Sequence, residues 1–172
     1  MPAMNQAQNG QISAKFAPTN HLHNVSDSEL HNEYCRRFTI RANQQLSSSA
    51  DVAKHVRTFM KDSPDVEVFI CVYLSGANRV IDTEILATGT ISTASIHIRE
   101  LIKSILLKQK ASSVIFIHNH PSGAEQPSKN DTDLMKKLKS ALQQIEVEVL
   151  DSLIIPGNGN TGYTSMADLG VI

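Results

Sequence analysis

Two histidines and an aspartate are the residues of this sequence whose types and spacing could do chemistry. His118 and His120 are separated by a single residue, and Asp131 stands a short distance further along the chain. Two neutral imidazoles and one carboxylate suit zinc, and three protein ligands leave its fourth tetrahedral position open for water. Zinc lowers the pKa of bound water to about 7, which provides hydroxide for attack on a carbonyl carbon. These residues therefore predict a catalytic zinc site.

The local sequence predicts how the two histidines are presented. In the run VIFIHNH, strand alternation places His118 and His120 on one face and Asn119 on the other. Pro121 cannot continue the strand ladder, and Gly123 permits a sharp turn. The two imidazoles are therefore expected to project together from the end of a buried strand.

A helix is predicted directly after this turn. Ser128 is the expected N-cap, which puts Asp131 near the third helical position, close to the histidines. The pair has the spacing of a capping box, the usual meaning of this motif before an apolar helix, and capping is compatible with metal binding. We expect Asn119 and Ser122 only to shape the loop.

Hydrophobic periodicity predicts an α/β fold for the rest of the chain. Helical patterns occur in SDSELHNEYCRRF, SSADVAKHVRTFMKDS, HIRELIKSILLKQK and the segment that begins at Ser128. Strand patterns occur in EVFICVYL, VIDTEIL, ATGTIS, SSVIFI and VEVLDSLII, with a last short strand at Tyr163. The first two strands flank the turn SGANRV and predict a hairpin. This order predicts one mixed β-sheet flanked by helices.

Length and composition set the domain organisation. The chain has 172 residues, 41% of them hydrophobic, which is enough for one domain with a real core. Residues 1–24 are rich in Asn, Gln, Ala and Ser, a composition that predicts a disordered arm. Residues 25–62 are expected to form an N-terminal helical segment, and residues 63–172 the metal-binding domain.

Charge and cysteine usage exclude several classes of protein. The 16 basic side chains nearly balance the 17 acidic ones, so direct nucleic-acid binding is doubtful. Neither a signal peptide nor an apolar span is evident, so we expect a cytoplasmic protein without a membrane partner. Cys35 and Cys71 lie far apart in no CxxC arrangement and are expected to be reduced thiols. No sequence feature indicates an oligomeric state.

The candidate site carries a family resemblance. His118, His120, Ser128 and Asp131 match the signature of the JAB/MPN (JAMM) family, and HNHPSG followed by PS and D resembles its RadC branch. The similarity runs over about 63–172 and includes VLDSLII and SMADLGVI. It implies a cytidine-deaminase-like JAB/MPN sheet flanked by helices, and zinc with a glutamate base. No helix-hairpin-helix segment is found, so the sequence resembles a short form of the family.

The resemblance also implies the remaining roles at the site. Glu67 opens the run EVFICVYL, where the family's glutamate lies, and is the expected base that moves a proton from water to the leaving amine. Glu84, in the second strand of the hairpin, is the alternative base. Ser128 would by analogy donate a hydrogen bond to the developing oxyanion. We expect a JAMM-type zinc metallopeptidase that hydrolyses peptide or isopeptide bonds in a peptide or protein substrate.

Two other functions remain open on the sequence alone. A non-catalytic JAB scaffold or binding module, associated with DNA repair or recombination, would tolerate loss of the metal. A metal-dependent nuclease is less favoured, because no second carboxylate cluster for a two-metal site is evident.

Overall fold

The structure, a computed structural model, describes residues 26, 29, 45, 46, 48–60, 65–89, 96–108, 111–157 and 161–172. The helices and strands of this part are, in chain order, α1 (Ser49–Met60), β1 (Val68–Leu74), β2 (Val80–Thr88), α2 (Ile98–Leu107), β3 (Ser113–His120), α3 (Lys129–Gln143), β4 (Glu148–Pro156) and β5 (Thr164–Ser165). The predicted disordered arm, residues 1–24, lies outside the described residues. Of the helix predicted next, Ser26 and Glu29 are described, and they exchange the hydrogen bonds of a capping box.

The strands form one mixed five-stranded sheet in the order β2-β1-β3-β4-β5. Strands β3 and β4 are parallel, and the other neighbours are antiparallel. Strands β1 and β2 form the predicted hairpin. Parallel neighbours require a crossover connection, and helix α3 provides it between β3 and β4. The predicted fold class, a mixed sheet flanked by helices in one α/β domain, is confirmed.

One strand prediction is wrong in part. Ala87 and Thr88 of the segment ATGTIS do not open a strand of their own, because they continue β2 and pair with Phe69 and Val68 of β1. Gly89 follows with a φ of 98°, a left-handed conformation that favours glycine, and the strand ends there. The rest of that segment lies outside the described residues.

Helices cover both faces of the sheet, so the core has two layers. On one face α2 and α3 pack against the sheet, with Leu101, Ile105, Leu134, Leu138 and Leu142 among their buried residues. On the other face α1 packs through Val52, Val56, Phe59 and Met60. Strands β1 and β3 are flanked by other strands on both sides and are buried along their whole length, which explains the apolar runs VFICVYL and VIFI. Strand β3 therefore lies between β1 and β4, with helices packed on both faces of the sheet.

A buried aspartate fastens α1 and the C-terminal segment to β4. The side chain of Asp151 accepts hydrogen bonds from the hydroxyls of Ser49 at 3.1 Å and Ser165 at 2.8 Å. It also accepts from the backbone N–H groups of Ser152 at 2.7 Å and Ala167 at 3.1 Å. Four donors satisfy this carboxylate, so its burial does not leave an unpaired charge.

Replacing Asp151 by asparagine is expected to lower the free energy of unfolding by about 2–4 kcal/mol, because an NH₂ group would face donors that need an acceptor. Chemical denaturation of both proteins measures this difference. The matched variant Asp133→Asn alters an exposed aspartate of α3 and is expected to cost less than about 0.5 kcal/mol. Equal losses in the two variants would contradict a special role for Asp151.

One of the two cysteines and the helices of the described part bear on the expectations about thiols and membrane spans. Cys71 is a buried free cysteine, and burial raises the pKa of its thiol well above its ordinary value. Cys35 lies outside the described residues. Among the helices that the structure describes, none has both the length and the apolar character needed to span a bilayer.

Candidate metal centre

The end of β3 presents two buried imidazoles to the same side of the sheet. His118 and His120 are 2% and 8% exposed, and their Nε2 atoms lie 3.0 Å apart. Both residues still pair with the neighbouring strand β4, His118 with Ile154 and His120 with Pro156. The histidines therefore project from rigid backbone, as the strand pattern predicts.

Asp131 reaches the histidines from the first turn of α3. Its Oδ1 lies 3.3 Å from Nε2 of His118, and its Oδ2 lies 3.5 Å from Nε2 of His120. Ser128 is the N-cap of the helix: its hydroxyl accepts from the Asp131 N–H, and its own N–H donates to Asp131 Oδ2 at 2.7 Å. The predicted capping box is confirmed, and it fixes the carboxylate that faces the histidines.

These three side chains could together hold a metal ion, since their ligand atoms all lie within 4.8 Å of one another. Bonds of roughly 2.0–2.2 Å to a tetrahedral zinc ion place neighbouring ligand atoms roughly 3.3–3.6 Å apart. The two Nε2 atoms lie 3.0 Å apart, and each lies 3.3 or 3.5 Å from a different oxygen of Asp131. The donor set, two imidazoles and a carboxylate, is one that suits zinc in its chemistry.

Hydrogen bonds around the cluster prepare its atoms for a cation. Nδ1 of His120 lies 2.9 Å from the carbonyl oxygen of Ala124, so the neutral ring would carry its proton on Nδ1 and present the lone pair of Nε2 to a cation. Burial alone would raise the pKa of Asp131, but hydrogen bonds from His118, His120 and Ser128 outweigh it and hold this pKa well below its ordinary value. The carboxylate therefore stays ionised at neutral pH.

The pKa of His120 is shifted in the opposite direction. Its hydrogen bond with Asp131 raises this pKa against the effect of burial, and the carbonyl of Ala124 and the charge of Glu67 act in the same sense. The site thus favours positive charge at His120. Nδ1 of His118, by contrast, is buried without a hydrogen-bond partner in the described part of the chain.

The turn after β3 is held by a close backbone contact with Gly157. The carbonyl of His120 accepts from the N–H groups of Gly123 and Gly157, both at 2.9 Å. A Cβ atom on Gly157 would lie 2.8 Å from Cα of Pro121 and 3.0 Å from the carbonyl oxygen of His120. Only glycine permits the two backbone segments to approach this closely.

The variant Gly157→Ala is expected to weaken zinc binding on the order of tenfold, because the new methyl group must push His120 away from its partners. Isothermal titration with zinc measures the affinity. The control Gly76→Ala adds a methyl group that meets only the Ser112 hydroxyl at 3.5 Å, and it should bind zinc as the wild type does. Unchanged affinity in Gly157→Ala would show that the turn yields without moving the ligand.

The register of β1 and β3 directs the predicted base Glu67 towards His120. It is half-buried and directly precedes β1. The register pairs Phe69 with His118, so continuing both strands by two residues brings Glu67 opposite His120. Strand alternation gives Glu67 the same face as Phe69, whose ring lies 6.2 Å from that of His118. The influence of Glu67 on the pKa of His120 agrees with this placement.

The alternative base, Glu84, is engaged elsewhere. It lies on β2 opposite Cys71, and its Oε2 accepts hydrogen bonds from the hydroxyls of Tyr73 at 2.8 Å and Ser104 at 2.6 Å. The structure therefore brings Glu67 to the histidines and leaves Glu84 between β2 and α2.

Ser128 lies beside Asp131 as predicted, but the observed contacts describe only its capping role. Its oxygen accepts from the Asp131 N–H at 3.2 Å, which leaves the hydroxyl proton free to be donated. Donation to an oxyanion stays a prediction.

Asn119 is the residue whose importance the sequence interpretation missed. It does not merely shape the loop, because it is a buried residue of β3 whose side chain binds the backbone just before β1. The hydroxyl of Ser122, in contrast, accepts a hydrogen bond of 3.4 Å from the N–H of Ala124, within the loop. The signal in the sequence was a polar amide that follows the apolar Ile115 and Ile117 on the face of β3 away from the histidines, since a buried amide requires hydrogen-bond partners.

Comparisons with known proteins show what this chain is similar to. The model of the RadC-like JAB domain matches residues 46–171. A UPF0758 protein of Pseudoalteromonas translucida is 36% identical over 96% of this chain and 69% of its own length. UPF0758 proteins of Pseudomonas syringae pv. tomato and Nitrosospira multiformis are 38% and 42% identical over 78% and 79% of the chain. The chain spans 58% and 60% of the lengths of these last two relatives.

Proposed function

Because this chain belongs to the RadC-like JAB domain family, we propose that it is a zinc-dependent hydrolase of peptide or isopeptide amide bonds. The observation that supports the proposal most directly is the buried triad of His118, His120 and Asp131, with donor atoms 3.0 to 3.5 Å apart. Three protein ligands are the number that catalytic zinc sites use, with one position left for water or substrate.

The triad would hold the zinc ion from two rigid elements, β3 and the N-terminal turn of α3. When bound, zinc would supply a Lewis acid that polarises a carbonyl group and lowers the pKa of water. The ionised Asp131 offsets part of the positive charge, and the Ala124 carbonyl orients the ring of His120.

Glu67 is the proposed base. Its carboxylate would take the proton from the attacking water and deliver it to the nitrogen of the leaving amine. Its place opposite His120, on the face of the histidines, supports this role. Ser128 is proposed to donate its hydroxyl proton in a hydrogen bond to the oxyanion that develops on the carbonyl oxygen.

A non-catalytic binding or scaffold role, with a link to DNA repair or recombination through a protein partner, is the alternative function. It does not require an ionised carboxylate at the position of Glu67. It also predicts that partner binding survives removal of the metal, whereas hydrolysis does not.

Metal removal tests the proposed function. The protein is incubated with a library of quenched fluorescent peptides, some linear and some joined through a lysine side chain, before and after dialysis against a chelator. Hydrolysis is expected to fall to background on dialysis and to return with one equivalent of zinc. Magnesium is expected not to restore it, because Mg²⁺ prefers oxygen ligands in octahedral geometry. Hydrolysis that persists in metal-free protein contradicts the proposal, and its absence from zinc-loaded protein favours the scaffold role.

A further inference from the structure

The side-chain amide of Asn119 forms two hydrogen bonds with the backbone that precedes and opens β1, in place of a backbone partner. Asn119 is 3% exposed, and its Oδ1 accepts a hydrogen bond of 2.7 Å from the N–H of Val68. Its Nδ2 donates a hydrogen bond of 2.9 Å to the carbonyl of Val66. Because a backbone N–H can only donate and a carbonyl can only accept, these partners also fix which end of the amide faces which group.

The two hydrogen bonds of Asn119 lie where the backbone pairing of β1 with β3 ends. The last paired residues are Phe69 on β1 and His118 on β3. The polar groups of Val66 and Val68 are directed towards β3, and the amide of Asn119 satisfies both of them. Without it, a buried N–H group at Val68 would lose its acceptor, which is costly in a protein interior.

Glu67 is the residue between the two hydrogen bonds. Its own carbonyl points the opposite way and accepts from the N–H of Gly89 at 2.9 Å. Asn119 thus holds the Val66 carbonyl and the Val68 N–H towards β3. The carbonyl of Glu67 is held towards β2. Asn119 also lies between His118 and His120 in β3, so the same residue joins the candidate metal ligands to the segment that carries the candidate base.

We propose that Asn119 is a positioning residue that fixes the backbone of Glu67 against β3, so that its carboxylate stays beside His120. The proposal rests on the proposed function in taking Glu67 as the base. Asn119 touches neither substrate nor metal in this account and acts through Glu67. Since misplacement of a reacting group by about 1 Å can cost on the order of 10²-fold in rate, a hydrogen-bonded clamp on its backbone has a direct catalytic value.

The test uses the full chain with Asn119→Leu, which keeps most of the volume, and Asn119→Ala, which creates space. The control Ser152→Ala removes a buried hydroxyl from the neighbouring strand β4, where its oxygen has no hydrogen-bond partner in the described part. Three quantities are measured: zinc per chain, hydrogen exchange of the Val68 amide by NMR, and kcat and KM for an amide substrate. The exchange measurement requires neither zinc nor substrate.

In both Asn119 variants we expect the Val68 amide to exchange roughly tenfold faster or more, with zinc content unchanged. We expect kcat to fall on the order of 10- to 100-fold with little change in KM. Adding Asn119→Leu to Glu67→Gln should slow hydrolysis no further, because both changes act through one group. The Ser152→Ala protein should match the wild type in all three measurements.

Two results would overturn the proposal. Unchanged exchange at Val68 would show that Asn119 does not hold the segment, whether or not the protein is an enzyme. Loss of zinc or of the folded state in both variants would make Asn119 a structural residue of β3. Failure of the proposed function is recognised separately, as absence of hydrolysis by zinc-loaded wild-type protein, and faster exchange in the variants would then still support the clamp.

Discussion

Replacing His118 and His120 by alanine is expected to remove zinc from the protein. Zinc in structural protein sites is bound with roughly 10–16 kcal/mol, so each ligand contributes enough for its loss to weaken binding by on the order of 10²–10³-fold. In the wild type we expect about one zinc per chain, as a single three-ligand site implies. Native mass spectrometry after exposure to zinc and gel filtration measures the stoichiometry in both proteins.

The control for this experiment is His55→Ala. His55 is also a buried histidine, but it lies on α1, and its Nε2 is 3.1 Å from the Thr83 hydroxyl. Its removal disturbs a buried imidazole without touching the candidate metal centre. Zinc retained in the His118→Ala/His120→Ala protein, or lost equally in His55→Ala, would contradict the assignment of the site. Absence of zinc from the wild type would favour the scaffold function.

Replacing Glu67 by glutamine is expected to reduce hydrolysis by about 10²–10⁴-fold, the usual contribution of a general base. Glutamine keeps the shape and can still form hydrogen bonds, but it cannot accept the proton of the attacking water. Since Glu67 is not one of the three clustered ligands, zinc content should not change. Initial rates at saturating substrate, with zinc measured on the same sample, separate loss of the base from loss of the metal.

Glu84→Gln is the matched comparison, because the sequence left these two carboxylates as alternatives. The carboxylate of Glu84 is bound by Tyr73 and Ser104, so its replacement should affect stability more than the rate of hydrolysis. A large loss of rate in Glu84→Gln, with none in Glu67→Gln, would reverse the assignment. Similar moderate losses in both would mean that neither carboxylate is the base.

Local sequence determined the elements that carry the candidate ligands. The alternation of VIFIHNH places His118 and His120 on one face of β3, and this alternation depends only on the geometry of a strand. The cap at Ser128 and the resulting position of Asp131 also follow from neighbouring residues. The mixed sheet and its hairpin were predictable for the same reason, since their signals lie within short windows of the chain.

The tertiary structure decided which distant residues accompany these ligands. Val68 and Asn119 stand 51 positions apart, and only the pairing of β1 with β3 brings them together. Strand register depends on long-range packing of both faces, and a shift by one residue would turn the side chain of Glu67 away from the histidines. The placement of Glu67 rather than Glu84 beside His120, and the clamp formed by Asn119, therefore could not be derived from local pattern. Local sequence therefore predicts the three candidate ligands. The register of β1 and β3 decides which residues, Glu67 and Asn119, accompany them.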